Sequence, residues 1–277
     1  ILPLSYITFI FTSMDIINNT FVKMYNQLIY STSMIDGFIL KGAFINIYEI
    51  MIYYILMIYL FSEYFSRNRI LRPLIMLTIL VIVILNTNYI NPTKKIVFID
   101  VKGDATLITD SYNRCNILID TGDADEYDAV LNYITSRNVK KLDYIIISHF
   151  HMDHYGEYQD IVQSINVKNT INKYNVESYQ ERLISCGSIK LYIYKLTYDD
   201  NNENNNSIIL SLFVNDKHYL FTGDSEIERE KDFMESYSPD IDYIKIAHHG
   251  SNTSTTEEFI NHLQPSAAFI IVKRHNI

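Results

Sequence analysis

Three histidines and an aspartate occur within six consecutive residues, in the segment 149–154 (HFHMDH). Imidazole nitrogens and carboxylate oxygens are ligands for Zn²⁺, Mn²⁺ and iron, and such sets leave positions open for water. Because His149 and His151 are separated by one residue, their side chains can converge on one ion where the chain leaves the strand. Asp153 and His154, in the next helical turn, can bind a second. A loop that is rich in histidine by chance, or histidines buried for packing, would not account for this density. The residue types and their spacing therefore predict a site for one or two divalent metal ions.

Two further segments carry metal-competent side chains at the ends of strand-like sequences. Asp224 follows the apolar segment HYLFTG, and His248 and His249 follow the segment 243–247. Each is ambiguous alone, because Gly-Asp is a common turn and a histidine before glycine can also cap the next element. The segment 142–148, before the histidine cluster, is strand-like as well, and ligands bind at the carboxyl ends of strands in α/β folds. We therefore expect these side chains to meet at one sheet edge, where Asp224 is placed to bridge two ions.

The elements that must position these residues form a simple order along the chain. Short strands rich in β-branched residues come first, separated by turn signals at Gly103-Asp104 and at 111–113, and strands alternating with helices follow. The segment 142–148 is almost wholly apolar, as is typical of a strand covered on both faces. This order predicts a layered α/β fold in which helices cover sheets. The predicted strands are 95–101, 105–110, 116–122, 142–148, 189–196, 207–214, 218–223, 243–247 and 268–272, and the predicted helices are 125–137, 159–165, 225–236 and 255–263.

The chain before residue 92 has a different character. Segments 38–61 and 74–90 are apolar over 24 and 17 residues, and about 20 such residues cross a bilayer as a helix. Arg67, Arg69 and Arg72 lie between them, so we predict a helical hairpin with a cytoplasmic turn and a following domain outside the cytoplasm. The predicted organisation is a membrane-embedded helical segment at 1–91, as part of a larger membrane domain, and a second domain at 92–277.

Charge divides the chain in the same way. The first 95 residues carry seven basic and four acidic side chains, a net charge of +3, whereas the whole chain carries −9. The remainder therefore carries −12, together with all eight histidines. An acidic domain lacks the basic footprint of proteins that bind duplex DNA tightly. Any nucleic-acid partner is therefore expected to bind weakly and transiently.

The chain has two cysteines, Cys115 and Cys186. Two are too few for a disulfide scaffold, and their spacing matches no zinc-knuckle pattern. They can form a single bridge if the domain faces an oxidising compartment, or they can remain two free thiols.

The segment HFHMDH makes the sequence resemble the metallo-β-lactamase superfamily, whose hallmark is HxHxDH. From about residue 95 onward the chain resembles, more narrowly, the C-terminal domain of ComEC-type DNA-internalisation competence proteins. Membrane helices before such a domain are also similar to that family. The resemblance implies an α/β fold, a metallo-β-lactamase αββα sandwich, following an all-α transmembrane segment. The segments that carry the narrower resemblance are VFIDVKGDATLI (97–108), NILIDTG (116–122), NNNSIIL (204–210) with FTGDSE (221–226), and HHGSNTS (248–254).

The resemblance also implies which residues bind metal. His149 and His151 would hold the first ion, and Asp153 and His154 the second, with Asp224 between the two. His248 or His249 would complete the set, and His249, the one before Gly250, is favoured. Asp120 would orient the ligands through hydrogen bonds, a role on which metal affinity often depends.

Further roles concern the substrate. Asp153 would orient or deprotonate a water molecule. His248 or His249, together with Ser251 and Ser254, would contact a phosphate or help the leaving oxygen. Asn204 and Ser207 would border the first ion.

Two departures from the family pattern bear on the metal. The turn DVKGDA is one residue shorter than the family's DVGQGDA and has one glycine fewer. Many superfamily hydrolases supply a third histidine to the first ion, but here no histidine occurs between His154 and His218. The first ion would then have few protein ligands, so its site is either incompletely occupied or suited to an ion that binds more weakly and prefers oxygen ligands, such as Mn²⁺. The expected cofactor is therefore one or two divalent ions, Zn²⁺ or Mn²⁺.

The function implied by the resemblance is that of a multi-pass cell-membrane protein for DNA uptake in competence. Its metal-dependent hydrolase domain would act as a nuclease and cleave phosphodiester bonds of DNA with metal-activated water. The expected partners are single-stranded DNA, membrane lipid and other DNA-uptake proteins, and no small organic cofactor is expected. Two alternatives stay open: a catalytically silent gating or scaffold domain of a DNA-conducting channel, and a membrane-tethered metallohydrolase of small substrates.

Overall fold

The computed structural model describes residues 20, 22–27, 31, 51, 54–55, 73, 77, 79–80, 93–124, 129–137, 139–195 and 201–271. The described residues before Thr93 are all helical, and among the described residues no helix combines the length and apolarity needed to cross a bilayer. Most of the predicted spans 38–61 and 74–90, and the predicted domain boundary after residue 91, lie outside the described residues, so they stay predictions. The chain forms two compact units, Ile1–Gly42 and Ala43–Ile277.

The described part of the second unit from Thr93 onward consists of short strands and five helices. In chain order they are β1 (Lys95–Phe98), β2 (Thr106–Thr109), β3 (Asn116–Ile119), α1 (Ala129–Ser136), β4 (Lys141–Leu142), β5 (Tyr144–Ile146), α2 (Met152–Tyr155), α3 (Tyr158–Ser164), β6 (Asn166–Val167), β7 (Thr170–Ile171), β8 (Leu183–Cys186), β9 (Ile189–Ile193), β10 (Leu210–Val214), β11 (Lys217–Phe221), α4 (Ile227–Ser236), β12 (Tyr243–Lys245), α5 (Glu257–Leu263) and β13 (Ala267–Phe269).

The strands form two main sheets. The first has the order β1-β2-β3-β5-β7, in which β3, β5 and β7 run parallel, and the second has the order β13-β12-β11-β10-β9-β8, in which β11, β12 and β13 run parallel. The short strands β4 and β6 pair separately. The hairpin of β10 and β11 turns at Asn215 and Asp216, both with positive φ (52° and 59°), which suits a tight two-residue turn.

Three apolar clusters define four layers. Side chains from β3, β5, β9 and β10 share one buried core between the two sheets, including Ile119, Ile146, Leu191 and Leu210. The other face of the first sheet packs against α1 and α3, and the other face of the second sheet packs against α4 and α5. Because side chains alternate along a strand, Ile145 and Ile146 are fully buried on opposite faces of β5. The predicted αββα sandwich, and the strand covered on both faces, are therefore confirmed.

The two cysteines form a disulfide. Cys115 lies just before β3 in the first sheet and Cys186 ends β8 in the second, with their Cα atoms 5.5 Å apart. Of the two alternatives left by the sequence, the structure has the single bridge. It joins the two sheets across 71 residues of chain.

Candidate metal centre

The segment HFHMDH leaves β5 at the carboxyl edge of the first sheet. His149 is fully buried, and its Nε2 atom lies 3.1 Å from Nδ1 of the more exposed His151. Two ligands about 2.0–2.1 Å from one tetrahedral ion would be about 3.3 Å apart, so the spacing suits a shared ion. Asp153 and His154 lie in the single turn of α2, as predicted from the sequence.

His154 is held by carboxylates on both sides of its ring. Its Nδ1 atom lies 2.9 Å from Asp120 Oδ2, and its Nε2 atom lies 3.2 Å from Asp224 Oδ2. Asp120 also accepts hydrogen bonds from Ser148 N and Ser148 Oγ, both at 2.7 Å. Asp120 thus contacts a predicted ligand as the sequence led us to expect, and Nε2 of His154 is turned toward Asp224.

Four side chains from four segments converge beside this histidine. Single ligand atoms of Asp104, His154, Asp224 and His249 all lie within 4.8 Å of one another. His249 Nε2 also lies 3.4 Å from Asp153 Oδ2. The structure therefore brings Asp153, His154, Asp224 and His249 together and adds Asp104, which was expected only as a turn residue.

The parallel pairing of β11 with β12 explains how Asp224 and the two histidines meet. Phe221 pairs with Lys245, so both strands end at the same level, and His248 N donates to Gly223 O at 3.3 Å. A Cβ atom on Gly223 would lie 2.7 Å from Ser207 Oγ and 3.0 Å from Ser148 Cβ. This close approach joins the ends of the two sheets, because Ser148 follows β5 in the first.

The histidine turn has an unusual backbone. His248 and His249 have φ values of 49° and 52°, and Gly250 has 79°. Side chains with a Cβ rarely adopt this left-handed conformation, and where they do the strain commonly marks a functional site. The turn directs His249 into the cluster, whereas the side chain of His248 is 30% exposed and its Nδ1 atom lies 3.7 Å from Glu226 Oε1. Which of the two binds a metal stays a prediction, but only His249 belongs to the tight group.

Asp104 is placed by its backbone. Its N–H group donates to the carbonyl oxygen of Asp153 at 2.9 Å. The preceding Gly103 has φ +93°, and a Cβ there would lie 2.0 Å from the same oxygen, so only glycine fits. The shortened turn DVKGDA therefore still brings an aspartate against helix α2, which carries Asp153 and His154.

Lys245 is a second residue that sequence reasoning missed. It is 5% exposed and its Nζ atom forms an ion pair with Asp104 Oδ2. Burial by itself lowers the pKa of Lys245, but Asp104 and Asp224 raise it overall, so the buried side chain is a cation. A signal was present in the sequence, because a lysine within an otherwise apolar central strand needs a buried partner.

The asparagine-rich loop supports the centre from the side. Asn204 Nδ2 donates to Glu226 Oε1 at 3.0 Å, and Ser207 Oγ accepts from Asp224 N at 3.0 Å and lies 3.4 Å from His149 Nδ1. Glu226 Oε1 in turn lies 3.7 Å from His248 Nδ1. Asn204 and Ser207 therefore border the predicted ligands, and their contact with an ion stays a prediction.

The two serines predicted to contact a phosphate lie on the segment after the histidines. Ser251 Oγ is 3.0 Å from Thr253 Oγ1 and is partly exposed. Ser254 Oγ is buried and donates to the carbonyl oxygen of Ala247 at 3.1 Å. Ser251 thus has the more accessible hydroxyl, and a phosphate contact for either stays a prediction.

The ionisation states follow from burial and from these contacts. Burial and the neighbouring His154 lower the pKa of His149 to about 2, so His149 is neutral, as a metal ligand must be. Burial alone would lower the pKa of His154, but Asp120 and Asp224 raise it well above its usual value. The hydrogen bond with Asp153 raises the pKa of His249. In contrast, burial alone would raise the pKa of Asp224, but His154 lowers it.

The buried atoms of the cluster fit a divalent ion. Within the described part of the chain, Asp104 Oδ1 and Asp224 Oδ1 are buried without a hydrogen-bond partner. The buried Nε2 atoms of His154 and His249 lie beside the carboxylates of Asp224 and Asp153. Unsatisfied buried polar atoms are costly and rare, and a cation would satisfy several at once. The donor set of nitrogen and oxygen atoms suits Zn²⁺, Mn²⁺ or iron. A second group, Cys115, Asp143 and Cys186, is not a metal site, because its two sulfur atoms form the disulfide.

Sequence comparison finds relatives of this chain in three bacteria. ComE operon protein 3 of Bacillus subtilis is 27% identical over 215 residues, covering 63% of this chain and 28% of that protein. Competence protein ComA of Neisseria gonorrhoeae is 24% identical over 163 residues, covering 55% of this chain and 23% of that protein. Recombination protein 2 of Haemophilus influenzae is 32% identical over 74 residues, or 9% of its length. The chain thus spans less than a third of these relatives.

Among solved structures, the metallo-β-lactamase fold protein YhfI from Bacillus subtilis matches 65% of this chain and 88% of its own, with 14% identity and a TM-score of 0.45. BJP-1, a subclass B3 metallo-β-lactamase of Bradyrhizobium japonicum, matches 64% of this chain and 92% of its own, with 12% identity and a TM-score of 0.44.

A family comparison covers the segment that supplies Asp104, Asp120 and HFHMDH. Residues 99–200 match the metallo-β-lactamase superfamily. That fold implies binding of a divalent metal, for which the Asp104–His154–Asp224–His249 cluster is the candidate site. The chain therefore contains a metallo-β-lactamase domain and is homologous to bacterial competence proteins.

Proposed function

We propose that this chain belongs to a membrane-bound DNA-uptake protein, and that its metallo-β-lactamase domain is a metal-dependent nuclease that hydrolyses phosphodiester bonds of DNA. The observation that carries the proposal is the cluster of Asp104, His154, Asp224 and His249 within 4.8 Å, next to the facing nitrogens of His149 and His151. The named competence relatives support DNA as the substrate.

The residues at hand suffice to hold one or two ions. His154, Asp224 and His249, with Asp153 close to His249, would bind one, and His149 and His151 with Asp224 would bind the other. A divalent ion there supplies a nucleophile from water at neutral pH and offsets the negative charge of a phosphodiester.

The chain's own groups then orient and move protons. Asp120 holds the proton on His154 Nδ1, so that Nε2 stays turned toward Asp224. His248 is more exposed than His249 and lies close to Glu226, with Nδ1 3.7 Å from Oε1. We assign to His248 the donation of a proton to the leaving oxygen, and to Glu226 the orientation of its ring.

The disulfide supports a position outside the cytoplasm. Disulfides such as Cys115–Cys186 persist in oxidising compartments and are rare in the cytosol. This agrees with the sequence-based proposal of a multi-pass membrane segment whose following domain faces outward, in contact with membrane lipid and with other DNA-uptake proteins.

The test is cleavage of a fluorescently labelled single-stranded oligonucleotide by the purified full chain with Mn²⁺ or Zn²⁺. We expect metal-dependent cleavage that Asp153→Ala abolishes and that Asp160→Ala, an exposed aspartate on the neighbouring helix α3, leaves unchanged. No cleavage by folded protein with either metal would favour the gating or scaffold alternative. Cleavage of small phosphoesters but not of DNA would favour the small-substrate hydrolase.

A further inference from the structure

An exposed aromatic side chain lies beside the segment that carries the metal-binding histidines. Tyr174 is 81% exposed, more than any other large hydrophobic side chain of the described residues. Its ring centroid lies 5.4 Å from that of Phe150, which stands in the chain between His149 and His151. A single exposed aromatic is not unusual, so its surroundings decide what it can do.

The turn that carries Tyr174 is fixed by its own side chains. Asn172 Oδ1 accepts a hydrogen bond from Tyr174 N at 3.0 Å, and Asn175 Oδ1 accepts one from Asn172 N at 2.9 Å. Asn175 Nδ2 also donates to the carbonyl oxygen of Thr170, the first residue of β7, at 2.8 Å. A turn whose backbone is already fixed loses less conformational freedom on binding. Tyr174 is therefore presented by a preorganised turn.

One carboxylate ties this turn to the metal-binding segment and to the asparagine-rich loop. Glu203 Oε1 accepts from Phe150 N at 3.0 Å, and Glu203 Oε2 lies 2.6 Å from Lys173 Nζ. Glu203 directly precedes Asn204, which borders the metal centre. These two contacts of Glu203, together with the packing of the Phe150 and Tyr174 rings, fix the position of Tyr174 relative to the histidines.

Lys173 adds a cation to the same surface. Its Nζ atom lies 5.3 Å from the ring centroid of Phe150 and 5.8 Å from that of Tyr174. Because Lys173 is paired with Glu203 and the chain carries a net charge of −9, attraction for phosphate is weak here. Stacking of bases on an aromatic ring needs no net charge and tolerates any sequence. A surface of this kind suits a partner that carries planar bases as well as phosphates.

We propose that Phe150, Lys173 and Tyr174 form a stacking platform for a base of single-stranded DNA, close to the phosphodiester that the metal centre cleaves. The proposal rests on the proposed function, since it names how that substrate is held. Tyr174 supplies the exposed ring face, and Phe150 supports it from behind. Lys173 lies against both rings.

Binding and cleavage are measured separately, so that each proposal can fail alone. Binding of a labelled oligothymidine to the full chain is followed by fluorescence anisotropy with Ca²⁺. Cleavage of the same oligonucleotide is followed with Mn²⁺. We expect Tyr174→Ala to raise the Kd for the oligonucleotide about tenfold, the loss of one stacked base. Tyr174→Phe should bind like the wild type. The control variant Tyr112→Ala should also bind like the wild type. Tyr112 is an exposed tyrosine before β3, at the other end of the sheet.

One further comparison separates stacking from other roles. An abasic oligonucleotide, which has phosphates but no bases, should bind to the wild type and to Tyr174→Ala equally. An unchanged Kd in Tyr174→Ala, an equal loss with the abasic strand, or no binding by the wild type would overturn the platform. If the wild type binds the strand and Tyr174→Ala weakens binding but nothing is cleaved, the nuclease assignment fails and the platform stands.

Discussion

Asp120 Oδ2 lies 2.9 Å from Nδ1 of His154, at the point where β3 and β5 end side by side. The same carboxylate accepts two hydrogen bonds from Ser148, the residue just before HFHMDH. Asp120 has φ 57°, a conformation that aspartate and asparagine tolerate better than other residues with a Cβ. One side chain thus orients a predicted ligand and fixes the start of the segment HFHMDH.

Asp120→Asn should weaken metal binding while leaving the fold intact. Asparagine keeps the shape and the backbone conformation but loses the charge that holds the proton on His154 Nδ1. Loss of such an outer partner lowers metal affinity by about 10–100-fold. Titration of metal-free protein with Mn²⁺ by calorimetry measures the change, with Asp160→Asn as control, and equal affinity in both variants would contradict the orienting role.

Metal affinity should fall as the pH is lowered. The pKa values of His154 and His249 are raised in the metal-free protein, so below those values both rings carry a proton that an ion must displace. Affinity therefore rises with pH until the raised pKa values are passed. Calorimetry between roughly pH 6 and 8, in two buffers of different ionisation enthalpy, should show proton release on binding. No proton release, or an affinity independent of pH, would count against these histidines as ligands.

Lys245→Met should destabilise the metal-free protein and make its stability more dependent on metal. Removing one partner of a buried ion pair costs about 3–5 kcal/mol, because the buried carboxylate of Asp104 would lose its positively charged partner. Added Mn²⁺ should recover part of this loss. Urea unfolding with EDTA and with Mn²⁺ measures both effects, and Lys190→Met, an exposed lysine in β9 of the same sheet, serves as control. A variant as stable as the wild type in EDTA would show that the pair contributes little.

Loss of the disulfide should lower the free energy of unfolding by about 2–4 kcal/mol, because the bridge restricts the unfolded chain. The double variant Cys115→Ser, Cys186→Ser tests this in urea, and a reductant should destabilise the wild type but not the variant. Equal midpoints for wild type and variant without reductant would mean that the bridge is absent from the protein in solution.

The sequence was sufficient for the layers and for most of the centre, because the relevant patterns are local. The strand–turn–helix context of HFHMDH and the glycines after Thr222 and His249 can be recognised in short segments. Asp104 was missed because its place depends on a contact between its backbone and Asp153, which no short segment reveals. Cysteine pairing likewise depends on how the two sheets pack.

The predicted strand 142–148 shows the limit of local patterns in more detail. It is interrupted at Asp143, between β4 and β5, because Asp143 Oδ2 accepts a hydrogen bond from Asn116 N at 3.0 Å. Hydropathy alone could not indicate this partner, which lies at the start of β3.

The most direct test of a metal-dependent nuclease is to measure the rate of cleavage of single-stranded DNA as a function of the metal content of the protein. Both quantities are measured in the wild type and in Asp224→Asn. Asp224 approaches both His154 and His249, so its loss should reduce the metal content and abolish cleavage together, while the Asp160→Asn control keeps both. We predict that cleavage rises in proportion to bound Mn²⁺ or Zn²⁺ and that EDTA removes it reversibly. Cleavage that persists in Asp224→Asn, or metal bound in full without any cleavage by the wild type, would contradict this function.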